Sequence, residues 1–129
     1  MEKKDYYKYM YLLAALWNIG ASLLFLILSI IDKSIFLTMG MQIPPSLFFL
    51  HVFIFLVISF GIGYILVSRD INKNHGVVII GIIGKISFFI CALIYMLLGD
   101  ANFLLVVLGI VDIFFVCLFI EFLINFKKI

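Results

Sequence analysis

Two ionisable residues stand inside long apolar stretches, where a charge needs a chemical reason. Lys85 lies near the middle of an almost wholly apolar run, and Asp112 lies inside the next one. A charged group at the centre of a bilayer costs at least about 2.5–3.5 kcal/mol on insertion scales, so it normally faces protein or trapped water and has a partner. We therefore expect Lys85 and Asp112 to form a buried ion pair.

Such a pair requires that both side chains lie at the same depth. If the third apolar run enters the membrane near Gly76 and the fourth near Asn102, a rise of 1.5 Å per residue places both groups roughly 14–15 Å from their entry surfaces. The turn from Gly99 to Asn102 is so short that the two helices must be antiparallel neighbours. A pair there either fixes helix register or handles a proton or a substrate charge.

Two other polar residues are candidates for the same interior. Asn18 carries an amide that seeks a hydrogen bond across helices; a structural link is favoured over a ligand contact. His51 lies a turn or two below the surface, where a hydrogen-bonded structural role is favoured over proton handling or ligand contact. The only other histidine, His75, lies in the loop on the opposite side, so we expect no haem, no metal and no other cofactor.

The composition assigns these residues to a membrane protein. The chain has 129 residues, of which 67% are hydrophobic and 12% are charged, with a mean hydropathy of +1.34, far from the balance of a soluble domain. Nearly every residue is needed to span the bilayer, so residues 1–129 form a single transmembrane domain without room for a soluble catalytic domain. The net charge of +2 is too small to indicate nucleic acid binding.

The elements that must position the polar residues are four apolar runs of about 20 residues, each long enough to cross a hydrocarbon core of roughly 30 Å. They predict an all-α protein, an antiparallel bundle of four transmembrane helices over about 9–31, 47–67, 76–98 and 103–126. The longest loop, Asp32 to Ser46, contains Pro44 and Pro45, which stop any helix from passing through. Its middle is still apolar, so it lies on the membrane surface or dips back to cap a cavity.

Charge sets the expected orientation. Seven of the nine basic residues lie at the two termini and in the middle loop, which all fall on one side of the membrane. Because cytoplasmic loops carry an excess of lysine and arginine, both termini should be cytoplasmic. Arg69, Asp70 and Glu121 are predicted to be interfacial charges, and Glu121 is expected to meet basic residues at that surface.

Four segments carry a resemblance to a known kind of protein: LWNIGAS (16–22), FGIGYILVSRD (60–70), NHGVVIIGIIGK (74–85) and GIVDIFF (109–115). Together they resemble a family of small uncharacterised bacterial four-helix integral membrane proteins, with an architecture similar to that of the DoxX-like proteins. The matching positions are Trp17, Asn18, Arg69, Asp70, Gly84, Lys85 and Asp112. The resemblance implies fold more than activity.

Three functions remain open at this point. The favoured one is a non-enzymatic protein of the bacterial inner (plasma) membrane, an accessory subunit of a larger membrane complex or a binder of a lipid-like molecule, with Asn18, His51, Lys85 and Asp112 as its polar interior. The alternative is a small proton-coupled transporter acting as a homo-oligomer. An intramembrane enzyme using His51 with Lys85 or Asp112 is disfavoured because His51 and Lys85 differ in depth.

Overall fold

The described part of the chain is entirely helical, as predicted. The structure, a computed structural model, describes residues 2–126. Its helices are α1 (Lys3–Ile31), α2 (Ser34–Thr38), α3 (Phe48–Arg69), α4 (His75–Leu97) and α5 (Phe103–Asn125). Within this range α1, α3, α4 and α5 are each long and apolar enough to cross a membrane. The protein is therefore a multi-pass membrane protein built as a four-helix bundle.

Two features of the helices differ from the sequence prediction. Helix α1 begins at Lys3 rather than near Tyr9, because its first turns also pack: the buried Tyr7 contacts Phe122 of α5, with ring centres 4.8 Å apart. Tertiary packing of this kind stabilises helix beyond the apolar run. The long loop also contains the unpredicted helix α2. The ends of α3, α4 and α5 fall within two residues of their predicted positions.

The four long helices form two tight pairs that meet more loosely. Helix α1 packs closely along α3 and α4 along α5, whereas the pairs meet through smaller contacts of α3 with α4 and of α1 with α5. Glycines allow the close approach inside each pair: a methyl group at Gly61 would run into Ile19 of α1, and one at Gly109 into Phe89 of α4. The looser junction leaves room for an internal space between the pairs.

The half of the bundle that holds the start of α1 and the end of α5, here called the terminal half, is filled by aromatic side chains. Tyr11 and Tyr64 each pack on Phe119, with ring centres 5.1 Å away in both cases, and Phe122 contacts Tyr7 and Tyr11. Aromatic rings bury large areas, and these tilted and stacked contacts fill the space between the helices. This core closes the terminal half.

The opposite half, here called the capped half, ends under the segment 34–41, which contains α2 and serves as a lid. Phe36 and Met39 of the lid are buried. Asn102 holds the lid down: its backbone N–H donates to the carbonyl of Met39 (2.8 Å), and its side-chain amide donates to that of Thr38 (2.7 Å). The same side chain accepts from the N–H of Leu104 and so caps α5.

The outer surface is apolar, as a bilayer requires. Large side chains on all four long helices are exposed, among them Leu24, Phe55, Ile83 and Phe114. Cys91 and Cys117 are unpaired and exposed, so both thiols lie on this outer surface and not in the core. The polar groups gather inside instead.

Candidate functional site

Three of the four predicted interior residues meet at the centre of the bundle, together with a tryptophan. The ammonium Nζ of Lys85 donates to Asp112 Oδ1 at 2.7 Å and to Asn18 Oδ1 at 3.0 Å. The predicted Lys85–Asp112 ion pair is thus confirmed. Trp17 Nε1 also donates to Asp112 Oδ1, at 3.2 Å. Trp17, Asn18, Lys85 and Asp112 are called the polar cluster below.

The polar cluster ties together all four long helices. Lys85 and Asp112 lie on the tightly packed pair α4 and α5, whereas Trp17 and Asn18 lie on α1. The amide Nδ2 of Asn18 donates in turn to the carbonyl of Val57 on α3, at 3.3 Å. Interhelical hydrogen bonds of this kind hold membrane helices in register where hydrophobic association cannot. Asn18 is therefore a structural link that also reaches the charged pair.

Burial makes the charges of the cluster depend on each other. Lys85 is only 5% exposed and the side chain of Asp112 is 16% exposed. The rings of Phe115 and Tyr64 lie 5.4 Å and 5.8 Å from the Lys85 ammonium, where their faces attract a cation. Removing either Lys85 or Asp112 would leave the other charge uncompensated in a site that is almost closed to water. As a whole, the cluster carries one positive and one negative charge and is electrically neutral.

Several donor and acceptor groups in and beside the cluster lack a hydrogen-bond partner among the described residues. A lysine ammonium has three donors, and Lys85 uses two of them. Among the described residues no group donates to Asp112 Oδ2. The hydroxyl of Tyr64 is buried without a partner in the same range. One donor, one acceptor and one hydroxyl therefore remain available.

The cluster forms the floor of a cavity in the capped half. The cavity measures about 470 Å³ and lies between the two helix pairs, with Phe36, Met39 and Met41 of the lid at its other end. This volume falls within the roughly 300–1,000 Å³ range of small-molecule sites. Apart from the floor, Ser22 and Tyr64, its walls are apolar or glycine. They include Ala21, Phe25, Leu50, Phe53, Ile54, Leu56, Val57, Phe60, Gly81, Gly84, Phe88, Leu105 and Leu108.

The cavity opens sideways between α3 and α4. Its lining residues Phe53, Leu56 and Gly84 are also exposed on the outer surface, and all three belong to these two helices. The lining residues of α1 and α5 are buried or half-buried. Phe53 of α3 and Phe88 of α4 stack at the gap, with ring centres 6.3 Å apart. The gap thus faces the hydrocarbon of the bilayer.

His51 lies apart from the cluster and the cavity. Its Nε2 is 3.1 Å from Ser29 Oγ, and the serine hydroxyl itself donates to the carbonyl of Leu26 at 2.7 Å. The serine oxygen therefore accepts from a protonated Nε2. The structure gives His51 a hydrogen bond between α3 and α1, and does not bring it to Lys85 or Asp112.

The three predicted interfacial charges lie at the terminal end of the bundle. Arg69 is exposed at the last residue of α3, and Asp70 ends that helix. The backbone N–H of Asn72, aided by the exposed Lys73, holds the pKa of Asp70 below its usual value. This stabilisation of the turn is present above the ordinary carboxyl pKa and is lost as the pH falls through the lowered one.

Glu121 bonds to uncharged groups within residues 2–126, and its expected contact with basic residues stays a prediction. Its Oε1 accepts from the hydroxyl of Tyr7 at 3.0 Å and from the amide of Asn125 at 3.1 Å, and no basic side chain pairs with it among residues 2–126. The basic residues closest to it in sequence, Lys127 and Lys128, lie outside the described residues. The carboxylate is drawn toward Tyr7 because α1 extends further along the bundle than its apolar run predicts.

The sequence did not predict that Tyr64 lines the cavity. It predicted Trp17 only as a position that matches the small four-helix membrane proteins, and not as a donor to Asp112. A tyrosine or tryptophan in an apolar run carries a polar atom that needs a partner, which was the available signal for both. Within residues 2–126 no group of three or more histidine, cysteine or acidic side chains is placed to hold a metal ion.

No family model, curated protein or solved structure matches the chain. The likeness to small bacterial four-helix proteins therefore stays a prediction, and the function must be argued from the cavity itself.

Proposed function

We propose that this chain is a non-enzymatic protein of the bacterial inner membrane that binds one lipid-like molecule with a single hydrocarbon chain. The observation that carries the proposal is the polar floor of an otherwise apolar cavity. Apolar walls accept a hydrocarbon chain from the bilayer without leaving a polar group unpaired, and close packing against the chain favours it. Unused donors and acceptors at the floor favour a polar group at one end of that chain.

The gap between α3 and α4 supplies a route for such a ligand. Because the gap faces the bilayer, a membrane lipid enters sideways without crossing water. The cavity volume of about 470 Å³ suits one chain, and a phospholipid with two chains and a charged headgroup is larger than this space.

Trp17 provides a direct test, because it is the only tryptophan of the chain and it lines the cavity. The purified protein is placed in nanodiscs of unlabelled lipid and titrated with a single-chain amphiphile whose alkyl chain is brominated. Bromine quenches tryptophan fluorescence at short range. A bound chain gives quenching that saturates at a low mole fraction of the probe, whereas a chain that stays in bulk lipid gives a shallow, unsaturated decline.

Two neighbouring residues on α1 make a matched pair of variants. Ala21→Phe puts a ring into the cavity, and Gly20→Phe puts the same ring on the exposed surface, where no atom lies within 4 Å of the added Cβ. We expect Ala21→Phe to weaken saturable quenching at least about tenfold, a loss of roughly 1.4 kcal/mol, and Gly20→Phe to leave it unchanged. Equal, unsaturated quenching in both would contradict a binding site.

Native mass spectrometry of protein purified from its own membranes separates a self-contained binder from a subunit. Recovery as a single chain with a retained small molecule supports the proposal. Recovery in a fixed ratio with larger proteins would make the chain an accessory subunit instead.

The proton-coupled carrier is the second candidate, and one observation favours it. Three buried polar atoms lack partners among the described residues: the hydroxyls of Tyr11 and Tyr64 and the Oε2 of Glu121. They are spread from the cavity wall at Tyr64 through the aromatic core at Tyr11 to Glu121 at the terminal end, and internal water would be needed to join them. A carrier, acting as a homo-oligomer, predicts proton flux into liposomes that Tyr11→Phe reduces; flux no faster than in protein-free liposomes would exclude it.

A further inference from the structure

We infer that the ligand of this cavity is a lipid alcohol, a single hydrocarbon chain that ends in an uncharged hydroxyl group. The inference rests on the proposed lipid-binding function and specifies the polar end of the ligand. It is carried by the charge balance of the polar cluster and by the hydrogen-bonding groups that the fold leaves unused.

Charge balance excludes an ionised headgroup. Lys85 and Asp112 already compensate each other at 2.7 Å, and both are largely removed from solvent. A carboxylate, phosphate or ammonium on the ligand would add a third charge without a counter-ion in a low-dielectric site, where an uncompensated charge is costly. The polar end of the ligand is therefore neutral.

The unused groups specify a headgroup that both donates and accepts. Lys85 has one N–H left to donate, and Asp112 Oδ2 has no donor among the described residues. A hydroxyl donates one hydrogen bond and can accept two at the same oxygen atom, so it can donate to Asp112 Oδ2 while it accepts from Lys85 and from one further donor. An ether or a ketone accepts only, and would leave Asp112 Oδ2 unpaired.

Tyr64 adds an independent observation at the same place. Its side chain is fully buried, its hydroxyl has no partner among the described residues, and it lines the cavity next to Gly81. A methyl group at Gly81 would collide with the Tyr64 hydroxyl, so the glycine makes room for it. A buried hydroxyl without a hydrogen bond is unfavourable. A ligand hydroxyl at the cavity floor supplies the missing bond.

The test compares three brominated probes of equal chain length that differ only at the polar end: the alcohol, its methyl ether and the carboxylate. Each is titrated against Trp17 fluorescence of the full chain in nanodiscs. The alcohol should bind about tenfold more tightly than the ether and the carboxylate, because only the alcohol pairs the unused donor and acceptor.

Two conservative variants locate the recognition. Tyr64→Phe should weaken binding of the alcohol and of the ether about tenfold each, because the Tyr64 hydroxyl donates to the oxygen atom that both probes carry. Tyr11→Phe is the matched control, because its hydroxyl is equally buried and unpartnered within residues 2–126 but Tyr11 does not line the cavity. It should leave all three affinities unchanged. Neither variant removes a hydrogen bond made within the described residues, so both should retain the thermal stability of the parent protein.

The outcomes separate this inference from the proposed function. Saturable binding of all three probes with equal affinity would retain lipid binding and overturn the alcohol specificity. A Tyr64→Phe variant that binds the alcohol as tightly as the parent protein does would overturn the inferred contact between the ligand hydroxyl and Tyr64. If no probe quenches Trp17 saturably, both the inference and the lipid-binding function fail.

Discussion

At the residue scale, the Lys85 ammonium makes the contacts that join the polar groups at the centre of the bundle. It joins a carboxylate, an amide and two aromatic faces within a site that is almost closed to solvent. A buried pair of this kind adds little net stability, because the cost of desolvating two charges offsets their attraction, but losing one partner is severe. We therefore expect the pair to fix the arrangement of the helices more than to add net stability.

We expect Lys85→Met to destabilise the fold by about 3–5 kcal/mol, because Asp112 keeps a buried charge without a counter-ion. Combining Lys85→Met with Asp112→Leu should recover most of that loss. Thermal unfolding in detergent provides the measurement, and Lys73→Met is the control because Lys73 pairs with Asp70 on the exposed surface. A single Lys85→Met variant as stable as the parent would refute the account of a coupled pair.

The contacts of a residue could be predicted from the sequence where they depend on its depth in the membrane. They could not be predicted where they depend on the rotation of a helix about its own axis. Lys85 and Asp112 could be paired because the length of the connecting turn fixes their relative depth. Whether His51 faces the cavity or Ser29 depends on how α3 is rotated, and an apolar run without strong periodicity does not define that angle. The same holds for Tyr64, whose buried face shows only in the packed bundle.

At the element scale, the division into two tight pairs explains both the cavity and its opening. Small residues bring α1 to α3 and α4 to α5, whereas α3 and α4 meet closely only in the terminal half, where Gly63 contacts Val77 and Gly81 contacts Tyr64. Towards the capped half the same two helices carry the exposed lining residues. The gap therefore belongs to the junction between the pairs.

Gly84→Leu should slow entry of the ligand without removing the site. A side chain at this position has open space and projects at the gap, whereas Gly20→Leu adds the same side chain to an exposed position on α1. Stopped-flow quenching of Trp17 should show an association rate about tenfold lower for Gly84→Leu, equivalent to a barrier higher by about 1.4 kcal/mol. Equal rates for the two variants would argue against entry between α3 and α4.

The lid shows how much of the structure of a connecting segment can be predicted from the sequence. Its apolar middle and the proline pair predicted a loop that either lies on the membrane surface or dips back to cap a cavity, but not helix α2 or the hydrogen bonds to Asn102. Those contacts depend on Gly40, whose φ of +70° lies in the left-handed region and whose Cα approaches the Asn102 backbone too closely for a side chain. The contact joins two turns that are far apart in the sequence, so the residues around either turn show no pattern that predicts it.

At the scale of the whole molecule, hydropathy predicted the architecture because the bilayer imposes it. Backbone groups in hydrocarbon must bond within their own helix, so four apolar runs leave few alternatives to a bundle. Which helices pack most tightly was not predictable, since the glycines that decide it occur in every run. Terminal residues of α1 also pack as core although they precede the apolar run.

Both ends of the chain should lie in the cytoplasm, because basic residues concentrate at the termini and in the loop between α3 and α4. A fluorescent protein fused after Ile129 should fluoresce in cells, and alkaline phosphatase fused within the loop that contains α2 should be active. The reverse pair of results would invert the orientation and place the lid in the cytoplasm.

The ion pair also bears on how the chain enters the membrane during synthesis. Helix α4 on its own presents Lys85 to hydrocarbon, a penalty of about 2.5–3.5 kcal/mol on insertion scales, and α5 on its own presents Asp112. Only a short turn separates the two helices, so the charges can compensate each other as soon as α4 and α5 lie side by side. We therefore expect the hairpin of α4 and α5 to enter the bilayer more readily than either helix alone.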